Sequence, residues 1–205
     1  MIKKSLLLTN KMCLDFISTY ELQENKNITE TQFLFLLICK YVSKRDISLF
    51  KNIKPSHQRF FVSKIKNVLD EENFNHIEKS KKRMILADEK KKLEDKKNNK
   101  ENKYKVNFEK IKPITKFTLY YDDLSFILNE LINEVKGNFV LQKDNFFLLM
   151  YSVLPYFLKK SMPKTDEFLN SYVGLVFLDI KKDIDKHEEL YNTKIENRNK
   201  KATNA

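Results

Sequence analysis

Apolar residues recur every three or four positions along most of this 205-residue chain, the spacing of one face of an α-helix. Met12, Cys13, Phe16, Ile17 and Tyr20 share such a face and predict a helix over residues 10–23, with Asn10 as its N-cap. Thr29-Glu30-Thr31-Gln32 has the pattern of a capping box, in which Gln32 reaches back to the Thr29 amide. The helix it opens runs to about Ser43 and is apolar on nearly every side, from Phe33 to Cys39 and again at Tyr41 and Val42. A helix of that kind is buried on several faces. Asp46 can cap a short helix over 47–53, with Ile47, Phe50 and Ile53 inward. Lys54-Pro55 breaks it, because a residue before proline avoids the α region. Ser56 then caps a helix to Asp70 with Phe61, Ile65, Val68 and Leu69 as its apolar stripe.

The pattern changes at residue 79. Over 79–112 only Met84, Ile85, Leu86 and Leu93 mark an apolar face among Lys, Glu, Asp and Asn, which reads as an exposed arm, a charged helix or a flexible hairpin. Tyr104, Val106 and Phe108 alternate, as do Phe117 and Leu119, giving two candidate short strands flanking Pro113. Helical spacing returns with Leu124, Ile127, Leu128, Leu131, Ile132 and Val135, after Asp122 as cap and before Gly137 as the C′ residue. A second helix, over 144–160, should bend at Pro155, and a third, starting at Thr165, carries Phe168, Tyr172, Val176 and Ile180. The fold class expected is mainly α. Residues 1–78 form a helix-turn-helix-like domain of three to four helices, 79–121 a basic arm or linker with short strands, 122–192 a C-terminal helical bundle, and 193–205 a disordered tail.

Composition removes several function classes. Gly137 and Gly174 are the only glycines, too few for a dinucleotide fingerprint or a Walker loop. Cys13 and Cys39 cannot make a disulfide framework and match no zinc spacing, so they read as small buried hydrophobes. The longest apolar run, 146–158, is broken by Ser152 and Pro155 and falls short of the roughly 20 residues a membrane span needs, so no integral membrane association is expected. The N-terminal leucines Leu6, Leu7 and Leu8 follow two lysines as in a signal peptide, but no cleavage site follows, and a cytoplasmic protein is expected.

Charge is unevenly distributed. Residues 1–120 hold 27 lysines and arginines against 15 acids, whereas residues 121–205 hold 12 against 13. Two clusters carry the excess: residues 44–67, with seven basic residues and one acid, and residues 79–116, with 15 basic and six acidic. Such clusters attract polyanions by releasing phosphate counterions.

The order of buried helix, short helix, turn and third helix resembles the core of winged helix-turn-helix regulators of the MarR and SarA type. The resemblance rests on Thr31-Gln32-Phe33-Leu34-Phe35-Leu36-Leu37, Asp46-Ile47-Ser48-Leu49 and the stretch from Ser56 to Leu69, about a fifth of the chain. It implies a third helix that enters the DNA major groove. Opposite the stripe at Phe61, a helical wheel places Ser56, Arg59, Ser63, Lys66, Asn67 and Asp70. Arg and Asn can read guanine and adenine edges, while Lys neutralises phosphate. Lys51, Lys54, Lys64, Lys81, Lys82 and Arg83 add phosphate contacts to this candidate nucleic-acid site. Tyr104, Phe108, Phe117, Tyr120 and Tyr121 stand beside Lys103, Lys105, Lys110, Lys112 and Lys116, a pattern of either single-strand stacking or core strands.

Other chemistry finds no support. His57, His76 and His187 are far apart in sequence with none at helical spacing from another, so no metal and no cofactor is expected. Asp122-Asp123 fits a helix first turn better than the paired carboxylates of a nuclease. No nucleophile elbow is present. The expectation is a non-enzymatic DNA-binding regulator or accessory factor, with DNA ahead of RNA, whose residues 122–192 dimerise or bind a protein partner. The alternative is an all-helical adaptor with no nucleic-acid role; a weaker one is adhesion of the basic arm to anionic membrane.

Overall fold

The computed structural model describes residues 5–23, 28–97, 106–137, 142, 144–163 and 166–203. Among them are eight α-helices and one two-stranded sheet, a mainly α fold. β1 (Ser5–Leu8) pairs antiparallel with β2 (Phe117–Tyr120), setting Leu6 opposite Leu119 and Leu8 opposite Phe117. Those four side chains are buried, which pins the register because a one-residue slip would turn them outward. The leucines of β1 are thus a strand.

α1 (Asn10–Glu21) buries Met12, Cys13, Phe16 and Ile17, and its cap is Thr9 rather than Asn10: Thr9 Oγ1 accepts the Met12 N–H at 3.3 Å. α2 (Glu30–Lys44) opens with the expected capping box. The Thr29 N–H donates to Gln32 Oε1 at 2.8 Å, and the Gln32 N–H donates to Thr29 Oγ1 at 3.2 Å. Its residues Leu34 to Cys39 are all fully buried, as a helix apolar on all sides requires. α2 ends at Arg45, left-handed at φ 58°, whose guanidinium donates to Tyr41 O and Ile114 O at 2.9 and 2.6 Å.

Between α2 and the next helix, the short helix expected over 47–53 is only a 3₁₀ turn, Phe50–Asn52. Asp46 Oδ1 takes the Ser48 N–H at 2.8 Å, closing a turn that leaves Ile47 exposed while Ile53 is buried. α3 (Pro55–Phe60) begins on Pro55, which needs no N–H partner in a first turn, so Ser56 lies inside the helix and is not its cap.

α3 does not stop at Asp70. It passes through a π-helical turn, Phe61–Lys66, into α4 (Asn67–Lys97). The buried residues His57, Phe61, Ile65 and Leu69 recur every fourth position. In an α-helix each such step overshoots a 3.6-residue turn by about 40°, and the wider i→i+5 turn winds that drift back. The same rewinding turns Val68 outward, although an ideal wheel sets it on the stripe. Of the two candidate strands near Pro113 the second forms, whereas in the described part of the first Val106 has no regular structure and Phe108 opens a 3₁₀ turn. Tyr104, with Lys103 and Lys105, lies outside the described residues. The chain returning to β2 is tied down where the Ile114 N–H donates to Asn73 Oδ1 at 3.0 Å.

α5 (Tyr121–Val135) starts one residue before Asp122, which with Asp123 occupies its first turn instead of capping it. Gly137 follows it at φ 80°, as a C′ residue should. α6 (Asn145–Lys159) is capped by Asp144, whose Oδ1 accepts the N–H groups of Phe146 and Phe147. α7 (Asp166–Leu169) and α8 (Tyr172–Thr203) replace the single third helix, and the break rotates the stripe: Tyr172 is exposed, while Val173, Phe177, Ile180 and Ile184 are buried. Residues 193–203, expected to be disordered, continue α8.

Core side chains from Leu6 to Ile184 form one cluster that includes residues from both ends of the chain. Phe16 of α1 meets Phe35 of α2 edge-on at 4.8 Å and Phe146 of α6 at 6.2 Å.

Candidate nucleic-acid interface

The continuous helix that runs from α3 through the π-helical turn into α4 has an exposed and a buried side near its start. On the outer side Ser56, Arg59, Ser63, Lys64 and Asn67 are exposed, as is Lys51 in the preceding turn. A shallow groove lined by Phe50, Pro55, Gln58, Arg59, Val62 and Ser63 runs along this side. Gln58 fixes its wall by donating to Phe50 O and Ile53 O at 3.2 and 3.0 Å. Ser63 spends its hydroxyl proton on Arg59 O at 2.8 Å, so toward a ligand it can only accept.

Ion pairing sorts the basic candidates. Lys54 binds Glu130 at 2.7 Å, Lys66 binds Asp70 at 2.7 Å and Lys81 binds Glu78 at 2.9 Å. Asp70 also accepts the Tyr41 hydroxyl. Burial opposes its charge, but the bonds from Lys66 and Tyr41 outweigh it and hold Asp70 below the ordinary carboxyl range. Asp70 and Lys66 are therefore half-buried and mutually satisfied, not open on the polar face. Lys51, Arg59, Lys64, Lys82 and Arg83 are exposed and have no ion pair among the described residues. Arg83 follows Arg59 by 24 residues of helix, roughly 36 Å, so the two belong to different footprints. Of the aromatic residues near lysines, Phe117 is core, whereas Phe108, Tyr120 and Tyr121 are exposed.

On the inner side of α3, His57 is 0% exposed, its ring edge-on to Phe126 of α5. Its Nε2 lies 3.3 Å from Glu130 Oε2, and its Nδ1 has no partner. Lys54 Nζ reaches Glu134 at 3.7 Å as well as Glu130. Glu134 Oε2 accepts the Thr31 N–H at 2.9 Å, serving the start of α2 from α5. A ring nitrogen of His57 and one carboxylate oxygen each of Glu30 and Glu134 all lie within 4.8 Å of one another. The hydrogen bond to Glu130, larger than the opposing burial, raises the Lys54 pKa; the same bond lowers that of Glu130. Sequence reasoning missed this group. The only trace in the chain is the i, i+4 pair Glu130 and Glu134, which says nothing of Glu30 or His57.

Comparison with known protein families, characterised proteins and solved structures finds no match to this chain.

Proposed function

We propose that the protein is a non-enzymatic nucleic-acid-binding factor that holds duplex DNA against the outer side of α3, in the manner of a helix-turn-helix regulator. The observation that carries this reading is the set of exposed cations without ion pairs among the described residues, Lys51 in the turn before α3 and Arg59 and Lys64 in the helix that follows, with Asn67 also exposed. Cations that a protein leaves unpaired keep their full attraction for phosphate. The N-terminal part of a helix also carries the residues that reach base edges in this binding mode. Arg59 is the base reader in this reading, Lys51 and Lys64 the phosphate contacts. Lys82 and Arg83 lie further along the helix, where a longer duplex would reach them. The site of action would be cytoplasmic. Binding of a generic duplex to the full chain across a salt series tests it: affinity should fall steeply with salt, with a slope near the number of phosphates neutralised. Absence of binding at low salt would remove the proposal.

A second reading rests on a separate observation. Phe74, Leu86 and Leu93 of α4 are each more than 60% exposed along the helix beyond its packed start. Exposed apolar side chains of that size on a charged helix suit a protein partner. If DNA binding fails, that helix is the surface to test by cross-linking.

A further inference from the structure

The inner side of α3 carries a feature that DNA binding does not use. Glu30, Glu130 and Glu134 converge there from α2 and α5, and among the described residues Lys54 is the one lysine paired with Glu130 and Glu134. With a neutral imidazole the group holds three negative charges against one positive. His57 supplies an independent sign. It is wholly buried, and its Nδ1 has no hydrogen-bond partner. Buried polar atoms are seldom left so, because each has given up its hydration with no partner in exchange. With Nε2 donating to Glu130, Nδ1 presents a lone pair and not a proton. One ring nitrogen of His57 lies within 4.8 Å of oxygens of Glu30 and Glu134, and a carboxylate on one nitrogen of an imidazole orients a metal-binding histidine.

The geometry points to a divalent transition-metal site formed by Glu30, His57 and Glu134, with Glu130 as the residue that positions the imidazole. One imidazole and two carboxylates suit zinc or manganese better than magnesium, which prefers an all-oxygen shell with several waters. A dication would cancel the surplus of negative charge. It would also tie α2, α3 and α5 together at their facing ends, in addition to the Thr31–Glu134 hydrogen bond. Three protein donors leave further positions to water on the side of the exposed Glu30. Lys54 opposes the cation, because its ammonium already lies on Glu130 and near Glu134.

The test is zinc titration of the chelator-treated full-length protein, followed by calorimetry and by the midpoint of thermal unfolding. One saturable zinc per chain is expected, with a raised midpoint. Glu30→Gln and Glu134→Gln should each weaken it by 10-fold or more, and Glu130→Gln by about 10- to 100-fold. Lys54→Met should tighten it. Glu30 is exposed, so its substitution keeps the test decisive even where His57→Ala does not fold. The inference is overturned if zinc does not saturate at one per chain, or if Glu30→Gln and Glu134→Gln bind as the unaltered protein does. It is equally overturned if magnesium competes with zinc on equal terms, or if His76→Ala, at an exposed histidine elsewhere, abolishes binding.

Discussion

The contact between α6 and α8 and the start of α3 use cations differently. In the C-terminal half Lys160 contacts Asp185 and Glu188, Lys181 binds Asp185 at 2.8 Å, and Lys182 lies 3.6 Å from Asp179. Lys160 and Lys181 also stand over the Tyr156 ring at 4.9 and 5.1 Å, while the Tyr156 hydroxyl donates to Asp185 at 2.6 Å. Lys160 and Lys181 thereby brace α6 against α8. In the basic half Lys51, Arg59, Lys64, Lys82 and Arg83 have no such work, although Lys54, Lys66 and Lys81 do. Net charge alone treats these as equivalent lysines. Pairing separates those that brace the fold from those that remain available to a polyanion.

The largest effect should come from the core that both halves share. Leu37→Ala in α2 should cost about 2–5 kcal/mol and Phe177→Ala in α8 about 3–5 kcal/mol, since both side chains are fully buried. Denaturant unfolding followed by two probes, one in each half, should show one coincident transition in each variant. Separate transitions would make the halves independent and the contrast between them trivial.

Next comes the first turn of α8, where it meets the end of α7. A Cβ on Gly174 would lie 2.0 Å from Phe168 O, a backbone atom that cannot swing away. Gly174→Ala should therefore destabilise by roughly 1–3 kcal/mol, as overpacking does, and leave DNA binding unchanged. A neutral result in thermal unfolding would mean that the two helices can separate freely.

The contrast itself is sharpened by four substitutions read against a duplex. Arg59→Ala should cost about 1–3 kcal/mol on a preferred site and flatten discrimination between sites. Lys64→Ala should weaken all duplexes alike and reduce the salt slope by about one. Lys66→Ala should change DNA affinity less than Lys64→Ala, because Lys66 is committed to Asp70, and should cost about 0.2–1 kcal/mol of stability. Lys181→Ala should leave DNA affinity alone. Equal losses from Lys64→Ala and Lys181→Ala would show that pairing does not distinguish them.

The smallest effect concerns acid. Burial favours the neutral Asp185, but the bonds from Lys181, Tyr156 and Lys160 prevail and lower its pKa from 3.8 to about 2. A folded-state pKa below the unfolded one stabilises fully above 3.8 and loses that contribution as pH falls toward about 2. Thermal midpoints of the unaltered protein and Asp185→Asn should therefore differ most near neutrality and converge toward about pH 2. A constant difference across that range would place the role of Asp185 in packing and not in charge.

What the sequence by itself determined is local. The capping box at Thr29 and Gln32, the all-round apolar α2, the proline at the start of α3, Gly137 after α5 and the exposure of Arg59, Ser63 and Asn67 all follow from contacts within one turn or from 3.6-residue periodicity. The tertiary structure decided everything that depends on partners distant in sequence. β1 is a strand only because Phe117 and Leu119 lie opposite it. The turn Phe61–Lys66 is π-helical, and His57, Phe61, Ile65 and Leu69 all stay buried along it. Asp70 is a local i,i+4 partner of Lys66, but that Tyr41 of α2 also donates to Asp70 was settled only by the packing of α2 on this helix. Glu30, His57 and Glu134 come together across three helices, with nothing in the spacing of residues 30, 57 and 134 to announce it. Periodicity records which side of an element faces inward; it carries no information about which element will be found there.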